Sequence, residues 1–236
     1  MSLRVEFVVF LVGVIFLGVS SVCLEVASAD CLFTDDVLYG VGYEPWSVAI
    51  GDLDGDATAD LAVANRGVGT VSVLLNNGDG TFAADVLYGA GDGAISVAIG
   101  DLDGDGDDDL VVANQFSDNV SILLNNGDGT FGEDVHYGAG DGPISIAIGD
   151  LDGDGDADVA VANLYGDTVS VLPNDGDGTF GEAVLYGAGN EPRSVAIADL
   201  DEDGDPDLVL ANSFGDNVSV LLNNGDGTFG PDELYG

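Results

Sequence analysis

Beyond residue 40 the chain is a succession of short apolar runs separated by clusters of Gly, Asp and Asn. Each unit opens on Ser-Val-Ala-Ile or a close variant, at Ser47, Ser96, Ser145 and Ser194. An Asp-rich stretch follows, then a continuous apolar run such as Leu110-Val111-Val112-Ala113, then a short turn. A third run, Val120 to Leu124 in the second unit, leads into Asn-Asn-Gly-Asp-Gly, and the unit closes on Tyr-Gly. The runs are rich in β-branched side chains and bounded by turn formers, which predicts strands. Asn and Gly tolerate positive φ, so Asn-Gly-Asp-Gly predicts a hairpin turn. No stretch after residue 30 is long enough, free of Gly, to predict a helix.

The pattern has one period. Tyr-Gly ends at Gly40, Gly89, Gly138, Gly187 and Gly236, 49 residues apart each time. Four short antiparallel strands per repeat of this length predict an all-β, β-propeller-like array of four four-stranded blades. The blades cover approximately 41–89, 90–138, 139–187 and 188–236, and residues 31–40, matching the end of a unit, predict one spare N-terminal outer strand. Continuous apolar runs require strands buried on both faces, as stacked blades provide. A solenoid would also bury them, but its coils are shorter and parallel, against the hairpin turns.

Residues 1–29 differ in kind. Arg4 precedes an apolar run from Phe7 to Val19, and Ala27-Ser28-Ala29 offers small residues for cleavage. A secretory signal peptide is expected there, with 30–236 as the exported chain. The apolar run is short for a bilayer, so no stable membrane span is expected after cleavage. Export places the protein outside the cell or at its surface. Cys23 falls in the leader and Cys31 just after it, so the fold is not built on disulfides.

Composition narrows the partners. Asp and Glu number 44 against three Arg, for a formal net charge of -41. Such a chain has no cations with which to displace the counterions of a nucleic acid, and anionic membranes repel it. With 46% hydrophobic residues and a mean hydropathy of +0.27 it is also too apolar for a disordered acidic tail.

The acids concentrate in one element. Asp101-Leu102-Asp103-Gly104-Asp105-Gly106-Asp107-Asp108-Asp109 recurs, with variations, from Asp52, Asp150 and Asp199. Two carboxylates ~4 Å apart repel by about 4 kcal/mol at an effective dielectric of about 20, so acids converging this way call for a cation. A donor set of oxygen alone, without His or Cys, selects Ca²⁺ over zinc or copper, and Mg²⁺ prefers fewer carboxylates and more water. Gly at the sixth position allows the sharp turn. The loop begins like an EF-hand, but its twelfth residue is Val63, Val112, Val161 or Leu210 rather than Glu, so it runs straight into a strand.

These loops, with Phe131-Gly132, Gly138-Ala139-Gly140 and the Asn125-to-Phe131 turn, resemble the FG-GAP/VCBS repeat family, typified by the propellers of integrin α chains. The resemblance covers 31–236. It implies one Ca²⁺ per blade, up to four, in the loop between the first two strands, held by side chains at positions 1, 3, 5 and 9 and the carbonyl at 7. The implied side-chain ligands are Asp52, Asp54, Asp56 and Asp60; Asp101, Asp103, Asp105 and Asp109; Asp150, Asp152, Asp154 and Asp158; and Asp199, Asp201, Asp203 and Asp207. The carbonyls are those of Thr58, Asp107, Asp156 and Asp205. Ala57 replaces Gly at position six of the first loop, which is expected to be the weakest site. The family usually closes seven blades, so four leave open a tight ring, an open arc, or a homodimer completing a ring.

The leading functional expectation is a secreted, calcium-braced binding or adhesion module for a protein or glycan ligand, not an enzyme. Phe116, Tyr165 and Phe214, each two residues before an Asp, offer aromatics for a ligand or for packing under the turn. A structural spacer or fragment of a larger repeat assembly is the alternative. A carbohydrate-active enzyme ranks below both: beyond the leader His136 is the one His, and no Ser/His/Asp or Cys/His set can be assembled. Trp46 and Arg193 occupy one repeat position in the outer blades, and ring closure would bring them together as a cation–π pair.

Overall fold

The computed structural model describes residues 37–236, and every described strand lies within Tyr39–Gly236. The first sheet comprises β1 (Pro45–Gly51), β2 (Asp60–Asn65), β3 (Thr70–Leu74) and β4 (Val86–Gly89). The second comprises β5 (Ala94–Gly100), β6 (Asp109–Asn114), β7 (Asn119–Leu123) and β8 (Val135–Gly138). The third is β9 (Pro143–Gly149), β10 (Asp158–Asn163), β11 (Thr168–Leu172) and β12 (Val184–Gly187). The fourth is β13 (Pro192–Ala198), β14 (Asp207–Asn212), β15 (Asn217–Leu221) and β16 (Glu233–Tyr235). Each is an antiparallel meander in chain order, as the hairpin turns dictate. Among the described residues there is no helix, and so none long and apolar enough to cross a membrane.

The Asn-Gly-Asp-Gly segments turn the chain as expected. Asn77 N–H donates to Thr81 O (2.8 Å), and an isolated bridge pairs Asn76 with Phe82. The same bridge recurs at Asn125–Phe131, Asn174–Phe180 and Asn223–Phe229.

The core lies between sheets. One apolar cluster joins Ala62, Val71 and Val73 of the first sheet to Val97, Leu110 and Val112 of the second. A second joins Val111, Val120 and Ile122 to Val159, Val161 and Leu172. A third joins Ala160, Val169 and Val171 to Val195, Leu208 and Leu221. Inner strands β6 and β10 are buried along their whole length, which explains why their sequence is apolar without alternation. Each junction is pinned at its rim by an edge-on aromatic pair, Tyr88–Phe131, Tyr137–Phe180 and Tyr186–Phe229. Among the described residues no cluster joins the fourth sheet to the first.

One expectation needs correction. Residues 37–40, the described part of the expected spare strand, form no strand. A fourth strand pairs with the third of its own blade, and the outer edge of β3 is already occupied by β4. Tyr39 nevertheless packs edge-on against Phe82 at 5.4 Å, repeating the rim contact of its counterparts. The expected signal peptide lies outside the described residues.

Candidate metal centre

Each acidic loop leaves the end of a first strand and finishes on the Asp that begins the second. That last Asp is buried in all four blades. Asp60 accepts the Leu53 N–H (2.8 Å) on one oxygen and the Asn76 N–H (2.7 Å) on the other. Asp109, Asp158 and Asp207 repeat both bonds, to Leu102 and Asn125, Leu151 and Asn174, and Leu200 and Asn223. One carboxylate therefore ties the start of the loop to the second strand and to the turn after the third.

The loop then winds around its first Asp. Asp101 accepts N–H groups from Gly104 (2.8 Å) and Gly106 (3.1 Å), and Asp52 and Asp150 do the same. Both donors sit at positive φ. Positions four and six are Gly in most loops, at φ 74 and 94 for Gly104 and Gly106. Two side-chain-bearing residues adopt this conformation, Ala57 (φ 68) at position six of the first loop and Glu202 (φ 64) at position four of the last.

This winding gathers carboxylates. Asp52, Asp54 and Asp60 offer oxygens that all lie within 4.8 Å of one another, and so do Asp101, Asp103 and Asp109, and Asp150, Asp152 and Asp158. Three loops thus assemble positions 1, 3 and 9. The fifth-position acids Asp56, Asp105 and Asp154 instead accept the N–H of position seven. In the fourth loop the group is Asp199, Asp201 and Asp203, all exposed, while Asp207 stays buried on its two backbone donors.

Burial and crowding both disfavour ionisation of these acids. Burial, opposed by the backbone donors, pushes Asp109 up to about 6. Asp158 is raised for the same reason. Burial first and neighbouring carboxylates after it raise Asp54, Asp103, Asp152 and Asp201. An all-carboxylate cluster in which ionisation is disfavoured by its own geometry fits a hard divalent cation, which would remove that penalty.

A second feature was not foreseen from the sequence. Asn125 Nδ2 donates to the Asp108 carbonyl of its own loop (2.9 Å) and to the Leu53 carbonyl of the preceding blade's loop (2.8 Å). Asn174 reaches Leu102 O and Asn223 reaches Leu151 O in the same way. Every acidic loop except the last is therefore clamped by the turn of the blade that follows. At Gly129 a Cβ would stand 3.2 Å from Asp54 Cβ, so the turn needs Gly there to sit on the loop. The signal was present in the repeats: the second Asn of the turn becomes Asp175 in the third blade, while the first never varies.

The four blades also frame a cavity of about 390 Å³ beside the starts of the first strands, lined by Trp46, Arg66, Tyr165, Glu191 and Arg193 among others. Arg66 lies over the Trp46 ring (5.1 Å) and over Phe116 (4.7 Å), and bonds Gln115 Oε1 through Nε and Nη2 (3.3 Å each). Arg193 bonds Ser213 Oγ (2.7 Å) and Glu191 Oε2 (3.2 Å). Within this chain Trp46 is met by Arg66 rather than by Arg193, and no apolar cluster of the described residues joins the first and fourth sheets, the closure on which the Trp46–Arg193 pairing depends. Phe116, Tyr165 and Phe214 are all exposed. His136, on an outer strand, bonds Asp134 at 2.5 Å and is exposed.

A family model described as FG-GAP-like repeat matches four times, over residues 52–112, 101–161, 150–210 and 199–235. The chain belongs to the FG-GAP-like repeat family. Among curated proteins, none matches the sequence. Several solved structures share its fold. A lectin from Agrocybe aegerita, described as recognising non-reducing terminal N-acetylglucosamine, is 26% identical at a TM-score of 0.53, covering 78% of this chain and 50% of that one. The periplasmic gluconolactonase PpgL of Pseudomonas aeruginosa is 18% identical at 0.58, covering 80% and 53%. A protein from Lactobacillus plantarum is 19% identical at 0.58, covering 85% and 58%. The FG-GAP-like chain thus spans little more than half the length of these structures.

Proposed function

We propose that this FG-GAP-like protein is an exported, calcium-braced binding module that takes its ligand at the cavity beside the first strands. Calcium supplies rigidity: at each loop the grouped carboxylates, with the remaining loop acids and the position-seven carbonyl, would hold it. The observation that carries the binding role is the placement of the cations. In a chain of net charge -41, Arg66 and Arg193 both line one cavity, next to Trp46 and Tyr165. Guanidinium groups beside aromatic faces suit a glycan or peptide that brings a planar or apolar face together with acceptor oxygens. The 26%-identical lectin supports a saccharide as the first ligand class to try. A glycan array probed with the calcium-loaded protein is expected to give binding that Arg66→Ala and Trp46→Ala reduce at least tenfold. Binding undiminished in both variants would remove the cavity from the function, and no binding to glycans or to extracellular proteins would leave a structural spacer.

A further inference from the structure

The four units are near copies, and their differences collect at one place. One position carries a different residue in every unit, Arg66, Gln115, Leu164 and Ser213, and it is the only such position beyond residue 40. Another carries the chain's one Trp, two Ile and an Arg: Trp46, Ile95, Ile144 and Arg193. Seven of these eight side chains line the cavity beside the first strands, and the eighth, Ser213, bonds Arg193 there. The backbone aims the second set inward. Trp46 and its counterparts are each the unpaired residue of a β-bulge, where the register slips between the residues on either side. A bulge turns its side chain out of the ladder, here towards the cavity.

Charge follows the same pattern. A third position, whose carbonyl accepts the N–H of Arg66 or its counterpart at 2.8–3.0 Å, is Glu44, Gly93, Gly142 and Glu191. All four sit at positive φ, 78 and 70 for the glycines but 54 and 53 for the two Glu. Left-handed backbone disfavours a side chain, so Glu stands here against the local preference. It does so only in the blades that carry an Arg. Glu44 Oε2 lies 3.8 Å from Arg66 Nη1, and Glu191 Oε2 accepts from Arg193 Nη2 at 3.2 Å. Each guanidinium at the cavity is therefore balanced by a carboxylate, and the two blades between them contribute the apolar Ile95, Ile144 and Leu164.

We propose that the cavity takes an uncharged saccharide and that its two Arg–Glu pairs select against charged analogues, an inference that rests on the saccharide reading above. A hydroxyl both donates and accepts, so adjacent hydroxyls match a guanidinium N–H beside a carboxylate oxygen. A carboxylate ligand gains the guanidinium but meets Glu44 or Glu191 beside it, and it approaches a chain of -41. An ammonium ligand meets the same conflict with Arg66 and Arg193. An uncharged ring meets neither, and its apolar face can lie on Tyr165, which is exposed at the cavity.

The test is the charge of what binds. On a glycan array probed with the full calcium-loaded chain, the bound glycans are expected to carry no charge on their terminal sugars. The strongest of them is then expected to bind at least about tenfold more tightly than its analogues ending in a uronic acid or an amino sugar. In the Glu44→Gln, Glu191→Gln double variant, at unchanged circular dichroism, the uronic-acid analogue is expected to gain at least about tenfold while the uncharged glycan is little changed. Charged glycans bound as tightly as uncharged ones would overturn the inference and leave the saccharide reading standing, and so would a folded double variant whose preference does not move. No glycan bound at all would end both. The array and the analogue comparison decide on the unmodified chain alone if the double variant does not fold.

Discussion

At the residue scale, the acidic loops hold two side chains where the backbone favours none. Left-handed φ costs an L-residue of the order of 1 kcal/mol, so Ala57→Gly and Glu202→Gly are each expected to raise calcium-loaded stability by up to about 1 kcal/mol. Denaturant titration checks this, with Ala62→Gly, in a regular strand, destabilising as the control. Glu202 escaped notice in the sequence because an acid among acids does not stand out; only its φ does. Asp109 makes a second residue-scale prediction. Its folded pKa of about 6 lies above its ordinary value of 3.8, so without a cation the ionised form opposes folding above pH 6. That opposition is relieved as pH falls from about 6 towards 4. Metal-free protein is therefore expected to melt higher at pH 5 than at pH 8. Calcium affinity should move the other way, falling as protons compete below pH 6. Melting curves at both pH values, with and without calcium, decide the sign. The Asp79, Asp128, Asp177 and Asp226 carboxyls, held below the ordinary range by Thr hydroxyls, contribute stability that is lost only below that window.

At the element scale, the unit of assembly is the turn of one blade seated on the loop of the blade before. Removing Asn174's amide takes one of two donors from the buried Leu102 carbonyl, which keeps the Gly178 N–H (3.1 Å), a loss of about 0.5–1.5 kcal/mol. Among the described residues Asn76 has no such cross-blade partner, so Asn174→Ala is expected to destabilise measurably more than Asn76→Ala in the metal-free protein. Equal losses would show that the cross-blade bond contributes little. Strands and turns were legible because their determinants are local: β-branched runs, flanking glycines, and an Asn-Gly-Asp-Gly turn whose φ values follow from residue type. The clamp was not, because its partners lie 72 residues apart and a repeat pattern does not say which neighbour a side chain addresses.

At the scale of the whole molecule, charge and metal are one problem. Carboxylates gathered in four loops, within a chain of -41, would make a bound cation, calcium on the function proposed above, part of the folding free energy. Chelation is expected to lower the melting temperature by about 10 °C or more, with Mg²⁺ restoring it poorly. Added NaCl should recover only part of the loss, since salt screens the long-range repulsion but does not bridge oxygens within 4.8 Å. Indifference of the melting curve to chelator would contradict this directly.

The 49-residue period, the four-stranded meander and the position of each acidic loop were determined by the sequence alone, because they follow from local patterning repeated four times. What the repeat could not express is how equal units become unequal. Positions 1, 3 and 9 meet in three loops but not in the fourth; Arg66 rather than Arg193 covers Trp46; residues 37–40 form no strand. The first three acidic loops carry the turn of the following blade, and the fourth, among the described residues, does not. Near-identical sequences are given different surroundings, and only the tertiary structure assigns the surroundings.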